Sequence, residues 1–224
     1  MMRGAIFDMD GVLLDNVEFH LEAFRRFGEE QERHLTRQDV YRVFGRKNED
    51  MFPSLLGREL TSAEIEKFEA RKEALYRELI RPTLRDHLVP GLFGMLEELK
   101  VASIRMAVAT SGPPENVSMV LDDLDLGGFF SAVITSREVR KGKPDPEVFL
   151  RAAHSLSIVP GDAVVFEDSL SGVRAALAAG SKCVALTTTH RREQLEELSP
   201  HRIVRNFTVL NRRSLEALWD ESVC

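Results

Sequence analysis

Gly4-Ala5-Ile6-Phe7-Asp8-Met9-Asp10-Gly11-Val12 decides the reading of the chain. Four apolar or small residues run straight into two carboxylates two positions apart, and a glycine follows. Apolar runs of this length, bounded by turn residues, fit strands buried on both faces of a parallel sheet. The run recurs at residues 105–109, 132–134, 163–166 and 183–186, and segments of helical periodicity separate the copies. Strands alternating with helices imply βαβ units: an α/β, Rossmann-like parallel sheet with helices on both faces. Pro113-Pro114 heads a helix over 115–124. Asp145 can cap a helix with Pro146 at its first position. Gly180 is placed to end the alanine-rich helix 172–179.

Residues 17–84 break this alternation, with no convincing strand and much amphipathic, charged helix. Thr61-Ser62-Ala63-Glu64 is a capping-box pattern opening a helix that runs to Arg81, where Pro82 closes it. The expected organisation is a core of residues 1–16 and 83–224 with an inserted α-helical cap domain over 17–82. Phe19, Phe24 and Phe27 are expected in the cap's own core.

Composition narrows the function. The 224 residues are 43% hydrophobic and 29% charged, as in a folded globular protein. Lys and Arg number 30 against 36 Asp and Glu, a net charge of −6, which offers no general attraction to nucleic acid or an anionic membrane. Any anionic partner must be held by local charge. Cys183 and Cys224 give no disulfide framework and no paired metal ligands, so a reducing, cytoplasmic setting is expected. No signal or membrane-spanning stretch is read.

Asp8 and Asp10 stand where a strand gives way to its loop, the rim at which open α/β sheets bind ligands. Turn formation alone would favour Asp10-Gly11 but leaves the second acid unexplained. Two unit charges about 4 Å apart repel by roughly 4 kcal/mol at an effective dielectric near 20, so the pair wants a cation or a shared proton. Glu167-Asp168 ends another apolar run; helix capping is its plainer role. Two strand ends carrying only carboxylates, with the six histidines scattered, describe a hard oxygen site suited to Mg2+. Thr110-Ser111-Gly112 offers hydroxyls and N–H groups ahead of a helix, a geometry that receives anions or merely caps. Lys143 before Pro144-Asp145-Pro146 is a point charge on a rigid turn, or an ordinary surface lysine.

Taken together and in this order, Asp8-x-Asp10, Thr110, Lys143-Pro144 and Glu167-Asp168 resemble the haloacid dehalogenase superfamily of phosphohydrolases. The likeness covers nearly the whole chain and is closest to the branch holding β-phosphoglucomutase and phosphoglycolate phosphatase. It implies that Asp8 attacks phosphorus to form an aspartyl phosphate while Asp10 serves as acid and then base. It further implies Mg2+ held by Asp8, the main-chain carbonyl of Asp10 and Asp168, with Glu167 a ligand or one step removed. Thr110, the Ser111 N–H and Lys143 would hold the phosphoryl oxygens. The dehalogenases of the superfamily lack an acid where Asp10 stands, so its presence favours phosphate chemistry. The expected activity is hydrolysis of a small phosphorylated metabolite by a monomer; the alternative is a hexose phosphate mutase.

Substrate choice is expected in the cap, where Glu18, His20 and the run Gly45-Arg46-Lys47-Asn48-Glu49 would face the site. His20 aligns with a histidine of the β-phosphoglucomutase cap. The mutase's phosphate-clasping arginine is matched here by Asn48, with Arg46 and Lys47 as possible substitutes. Asn16 stands where the mutase hinge has threonine.

Overall fold

The computed structural model describes residues 1–43 and 48–220, the side chain of Asn48 excepted. The chain opens with strand β1 (Gly4–Phe7) and then leaves the sheet for four helices, α1 (Val17–Glu30), α2 (Arg37–Val43), α3 (Asn48–Leu56) and α4 (Ser62–Ile80). It returns through α5 (Leu92–Val101), β2 (Arg105–Ala109), α6 (Pro114–Asp123), β3 (Ala132–Ile134) and α7 (Glu147–Ser155). The last third holds β4 (Ala163–Glu167), α8 (Leu170–Ala178), β5 (Lys182–Leu186), α9 (Arg192–Glu196), β6 (Arg202–Val204) and α10 (Arg212–Glu216).

All six strands are parallel, in the order β3-β2-β1-β4-β5-β6. β1 lies between β2 and β4, with Phe7 level with Val108 on one side and Phe166 on the other. The winding direction reverses between β1 and β4, so a crevice opens past their carboxyl ends. Alternation along the strands feeds two separate cores. Phe7, Val108, Phe166 and Val184 pack with Leu96, Leu99 and Val120 of α5 and α6 on one face. Ile6, Ala107, Val165 and Cys183 pack with Phe149, Ala152, Val173 and Ala176 of α7 and α8 on the other. Phe7 stacks on Phe166 with centroids 4.7 Å apart, directly beneath the strand ends.

The inserted helices have their own aromatic centre, where Phe27 meets Phe52 at 5.2 Å and Phe68 at 5.3 Å. Phe24 is fully buried there, whereas Phe19 is only partly buried and sets its ring edge-on to His87. Thr61 and Glu64 form the capping box of α4. Pro82 does not stop the chain outright: a 3₁₀ segment, Arg81–His87, continues past it with a kink at Thr83. Gly180 takes the left-handed conformation (φ +76°) that ends the alanine-rich helix. α7 begins one residue later than expected, with Pro146 as its cap residue, although Asp145 Oδ1 still accepts from the Glu147 N–H at 3.0 Å. β6 was not expected at all. No described helix is long and apolar enough to cross a membrane.

Candidate active site

Asp8 follows β1 directly, and its N–H donates to the Phe166 carbonyl at 3.0 Å, so the nucleophile candidate is tied to the neighbouring strand. Glu167 and Asp168 arrive beside it from β4, and Lys143 reaches in from the loop before α7. One carboxylate oxygen each from Asp8, Glu167 and Asp168 lies within 4.8 Å of the others, and all three residues are buried. Lys143, only 3% exposed, places Nζ 3.0 Å from Asp8 Oδ1 and 2.6 Å from Glu167 Oε1. It is no surface lysine.

Glu167 is saturated. Oε1 takes Lys143, while Oε2 accepts from the Asp168 N–H (2.8 Å), the Ser169 N–H (2.8 Å) and Ser169 Oγ (3.0 Å). Such a carboxylate anchors the lysine and has little left for an ion. The cap of α8 is supplied by Ser169, whose Oγ accepts from the Gly172 N–H at 3.0 Å. Two glycines make room for the acids. A Cβ at Gly172 would overlap the Glu167 carboxylate, and one at Gly11 (φ +75°) would overlap that of Asp168.

Three buried carboxylates share one buried ammonium, so negative charge is in excess. Burial raises Asp8 from 3.8 to about 7, Lys143 pulls it down, and Glu167 and Asp10 add to the rise. Asp168 is raised well above the ordinary range by burial, then by Glu167 and Asp8. Lys143 is pushed upward by Asp8 and Glu167 despite its burial. Asp8 Oδ1 and Asp168 Oδ2 are buried without a well-formed hydrogen bond, although Lys143 lies close to the first. An all-oxygen cradle short of positive charge, with carboxylate oxygens that lack well-formed hydrogen bonds, fits a hard divalent cation.

Asp10 is handled differently. Its Oδ1 accepts from Asn16 Nδ2 at 2.6 Å and stands 3.2 Å from His20 Nε2. Asn16 is fixed in turn, its Oδ1 accepting from the Gly11 N–H (3.2 Å) and its amide also reaching Tyr76 Oη (2.6 Å). Lys72 Nζ lies 2.9 Å from His20 Nδ1. An ammonium can only donate, so Nδ1 accepts from Lys72 and Nε2 is the ring nitrogen that carries a proton towards Asp10. Tyr76 stacks on the same ring at 3.9 Å. Burial works to raise Asp10, but His20, Asn16 and Lys72 outweigh it and hold the carboxyl below its ordinary value.

Thr110 ends β2, is 1% exposed, and accepts from the Gly112 N–H at 3.0 Å, which leaves its own hydroxyl proton to donate. Ser111 and Gly112 complete that wall. Asp8, Asp10, His20, Lys72, Thr110 and Asp168 are among the residues around a cavity of about 50 Å3. Phe24 belongs to this cavity as well as to the helical core.

The structure thus brings together Asp8, Asp10, Thr110, Ser111, Lys143, Glu167, Asp168 and His20. Glu18 is turned away, because it lies two residues from His20 on the helix and pairs with Arg37 at 2.6 Å in solvent. Arg46 and Lys47 lie outside the described residues, as does the side chain of Asn48. Sequence reasoning missed Lys72, Glu73, Tyr76 and Asn116, and missed that Asn16 grips Asp10. One signal was available: Phe68, Lys72, Tyr76 and Ile80 recur every four residues, which sets a lysine in the buried stripe of α4.

A family model described as haloacid dehalogenase-like hydrolase matches residues 5–186. A phosphorylated carbohydrates phosphatase of Thermotoga maritima is 36% identical over 179 residues, covering 80% of this chain and 82% of that protein. A β-phosphoglucomutase of Bacillus subtilis is 33% identical over 190 residues, covering 83% of each. The fold matches the crystal structure of a β-phosphoglucomutase from Clostridium difficile with a TM-score of 0.89 over 99% of this chain and 98% of that one, at 21% identity.

Proposed function

Because the chain belongs to the haloacid dehalogenase-like hydrolase family, we propose that it is a magnesium-dependent phosphatase of a small phosphorylated metabolite, of the sugar phosphate or phosphoglycolate type. The observation that carries this reading is Asp8 at the switch point of the sheet, held between Lys143 and Asp168 with Oδ1 lacking a well-formed hydrogen bond.

In this reading the Asp8 carboxylate attacks phosphorus and the substrate alkoxide leaves with the proton of Asp10. The result is an aspartyl phosphate and a free alcohol. Asp10, now ionised, takes a proton from water, which attacks phosphorus and releases inorganic phosphate and the Asp8 carboxylate. Thr110 Oγ, the Ser111 N–H and Lys143 Nζ hold the phosphoryl oxygens throughout. Asp8, the Asp10 main-chain carbonyl and Asp168 would hold Mg2+, and Glu167 would hold Lys143. Bound there, the ion supplies the positive charge that keeps the carboxylates ionised and offsets the spreading charge of the transferring group. Residues 17–82 act as a cap over the core of residues 1–16 and 83–224, with His20 and Lys72 of the cap facing Asp10 across the site.

The test is phosphate release from a panel of sugar phosphates and phosphoglycolate. Release should require magnesium, respond poorly to calcium, and vanish in Asp8→Asn. Undiminished turnover in chelator, or in that variant, would refute the mechanism. Similarity to the B. subtilis protein favours a second reading, a hexose phosphate mutase. Given β-glucose 1-phosphate and a bisphosphate primer, a mutase would form glucose 6-phosphate much faster than free phosphate.

A further inference from the structure

Asn116, in the first turn of α6, is 1% exposed, and its amide is gripped from both sides by α4. Arg77 Nη1 donates to Asn116 Oδ1 at 2.7 Å, and Asn116 Nδ2 donates to Glu73 Oε2 at 2.7 Å. Glu73 and Arg77 sit one turn apart on α4, so a single amide spans two neighbouring positions of one helix face. The other oxygen of Glu73 accepts from Lys72 Nζ at 3.0 Å, and Lys72 is the residue that holds His20 Nδ1. Lys72 and Glu73 are 3% and 5% exposed. A path of hydrogen bonds therefore leaves the core at Asn116 and crosses the inserted helix through Glu73 and Lys72 to His20, whose Nε2 makes the last step to Asp10 Oδ1 as a 3.2 Å ion-pair contact.

We propose that Asn116 is a positioning residue for Asp10, acting through Glu73, Lys72 and His20. This rests on Asp10 being the acid of the proposed reaction. Each link has one workable polarity. Lys72 can only donate, so His20 must present its Nε2 proton to Asp10. Lys72 is kept on His20 because Glu73 holds a second of its three protons. Glu73 is kept in place because Asn116 supplies a donor that solvent cannot supply at a buried oxygen. Burial alone would raise Glu73, yet Lys72, His20 and Asn116 outweigh it and keep the carboxylate ionised. Removing the Asn116 amide takes the donor from Glu73 Oε2 and the acceptor from Arg77, so the carboxylate that holds Lys72 on His20 loses its own fixed partner.

The readout is leaving-group dependence, which a merely structural role does not move. A sugar alkoxide needs a proton to leave, whereas p-nitrophenolate does not. With magnesium-loaded enzyme, Asn116→Ala should lower kcat/KM at least ~10-fold for glucose 6-phosphate and less than ~3-fold for p-nitrophenyl phosphate. Asp10→Asn should show the same asymmetry more strongly, and in that background Asn116→Ala should cost nothing further. A swap guards against misfolding. Asn116→Asp alone opposes two carboxylates and Glu73→Gln alone opposes two amide donors, but the double variant rebuilds all three hydrogen bonds with one donor reversed. It should recover to within ~3-fold of wild type on glucose 6-phosphate. Equal losses on both substrates, a further loss in the Asp10→Asn background, or a swap no better than its worse single variant would each overturn the proposal. If Asp10→Asn itself shows no asymmetry, the acid assignment fails and this proposal goes with it.

Discussion

Removing the cation should make the folded protein sensitive to pH in a direction opposite to ordinary carboxylates, through Asp8 and Asp168. The Asp8 carboxyl is raised from 3.8 to about 7 in the folded chain, chiefly by burial. A group whose folded-state value is raised binds its proton more tightly when folded, so its stabilising contribution is complete below the unfolded value. It is lost as pH climbs from about 3.8 towards 7. At 1.36 kcal/mol per tenfold change in proton affinity, the whole loss is about 4 kcal/mol, and roughly 2 kcal/mol of it falls between pH 5 and pH 7. Asp168 is raised for the same reason and steepens the slope. Magnesium should reverse the effect above pH 7, adding about 2.7 kcal/mol at one hundred times its dissociation constant. The assay is urea unfolding of chelator-treated and magnesium-loaded protein across this range. Asp8→Asn keeps the shape and removes the charge, so it should be more stable than wild type at pH 8 without metal and should gain less from magnesium. A metal-free stability that is flat from pH 5 to pH 8, and unmoved by Asp8→Asn, would refute a cradle short of positive charge.

Lys143→Ala should lower kcat far more than it raises KM, because the ammonium counters charge that grows as phosphorus transfers; a pure KM effect would contradict that role. The same variant leaves Asp8 and Glu167 buried without their ammonium, and unfolding should show a loss of about 3–5 kcal/mol at neutral pH. Gly172→Ala should cost about 1–3 kcal/mol and weaken the response to magnesium, since the new Cβ would overlap the Glu167 carboxylate that anchors Lys143. A Gly172→Ala protein with unchanged stability and magnesium response would mean that the carboxylate can be accommodated elsewhere.

The sheet was legible where burial on both faces forces a continuous apolar run, as in Ala5-Ile6-Phe7 and Val164-Val165-Phe166. β6 was not, because Arg202-Ile203-Val204 is three residues long, starts with a charge and sits at the sheet edge, where one side is free of hydrogen-bonding constraint. The acids were legible because charge directly after a buried strand has few structural explanations. Asn16, Glu73 and Asn116 gave no comparable sign, and Lys72 gave only its place in the every-fourth-residue stripe of α4. Arg71-Lys72-Glu73 reads as a solvated charge run, yet its last two members are buried by tertiary contacts, Lys72 against His20 and Phe24 of α1 and Glu73 against Asn116 of α6. Polar residues on separate helices acquire their roles from tertiary placement, which local patterning does not encode.

Asp8 and Asp10, two positions apart in sequence, are pushed in opposite directions by their surroundings. Asp8 faces carboxylates and is raised; Asp10 faces His20, Asn16 and Lys72 and is lowered. In the proposed reaction these biases suit different moments. A lowered Asp10 is a competent resting carboxylate for the second half-reaction, in which it must take a proton from water. Donating a proton in the first half requires the opposite state. An arriving phosphate dianion supplies it, because new negative charge beside Asp10 opposes ionisation just as Glu167 opposes it in Asp8. Substrate would thus load the acid it needs, and loss of the alcohol would leave Asp10 ionised and ready for water. The cation would act on Asp8 in the reverse sense, freeing the nucleophile as it screens the neighbouring carboxylates. Each ligand would therefore act on the group whose protonation state its half of the reaction requires to change.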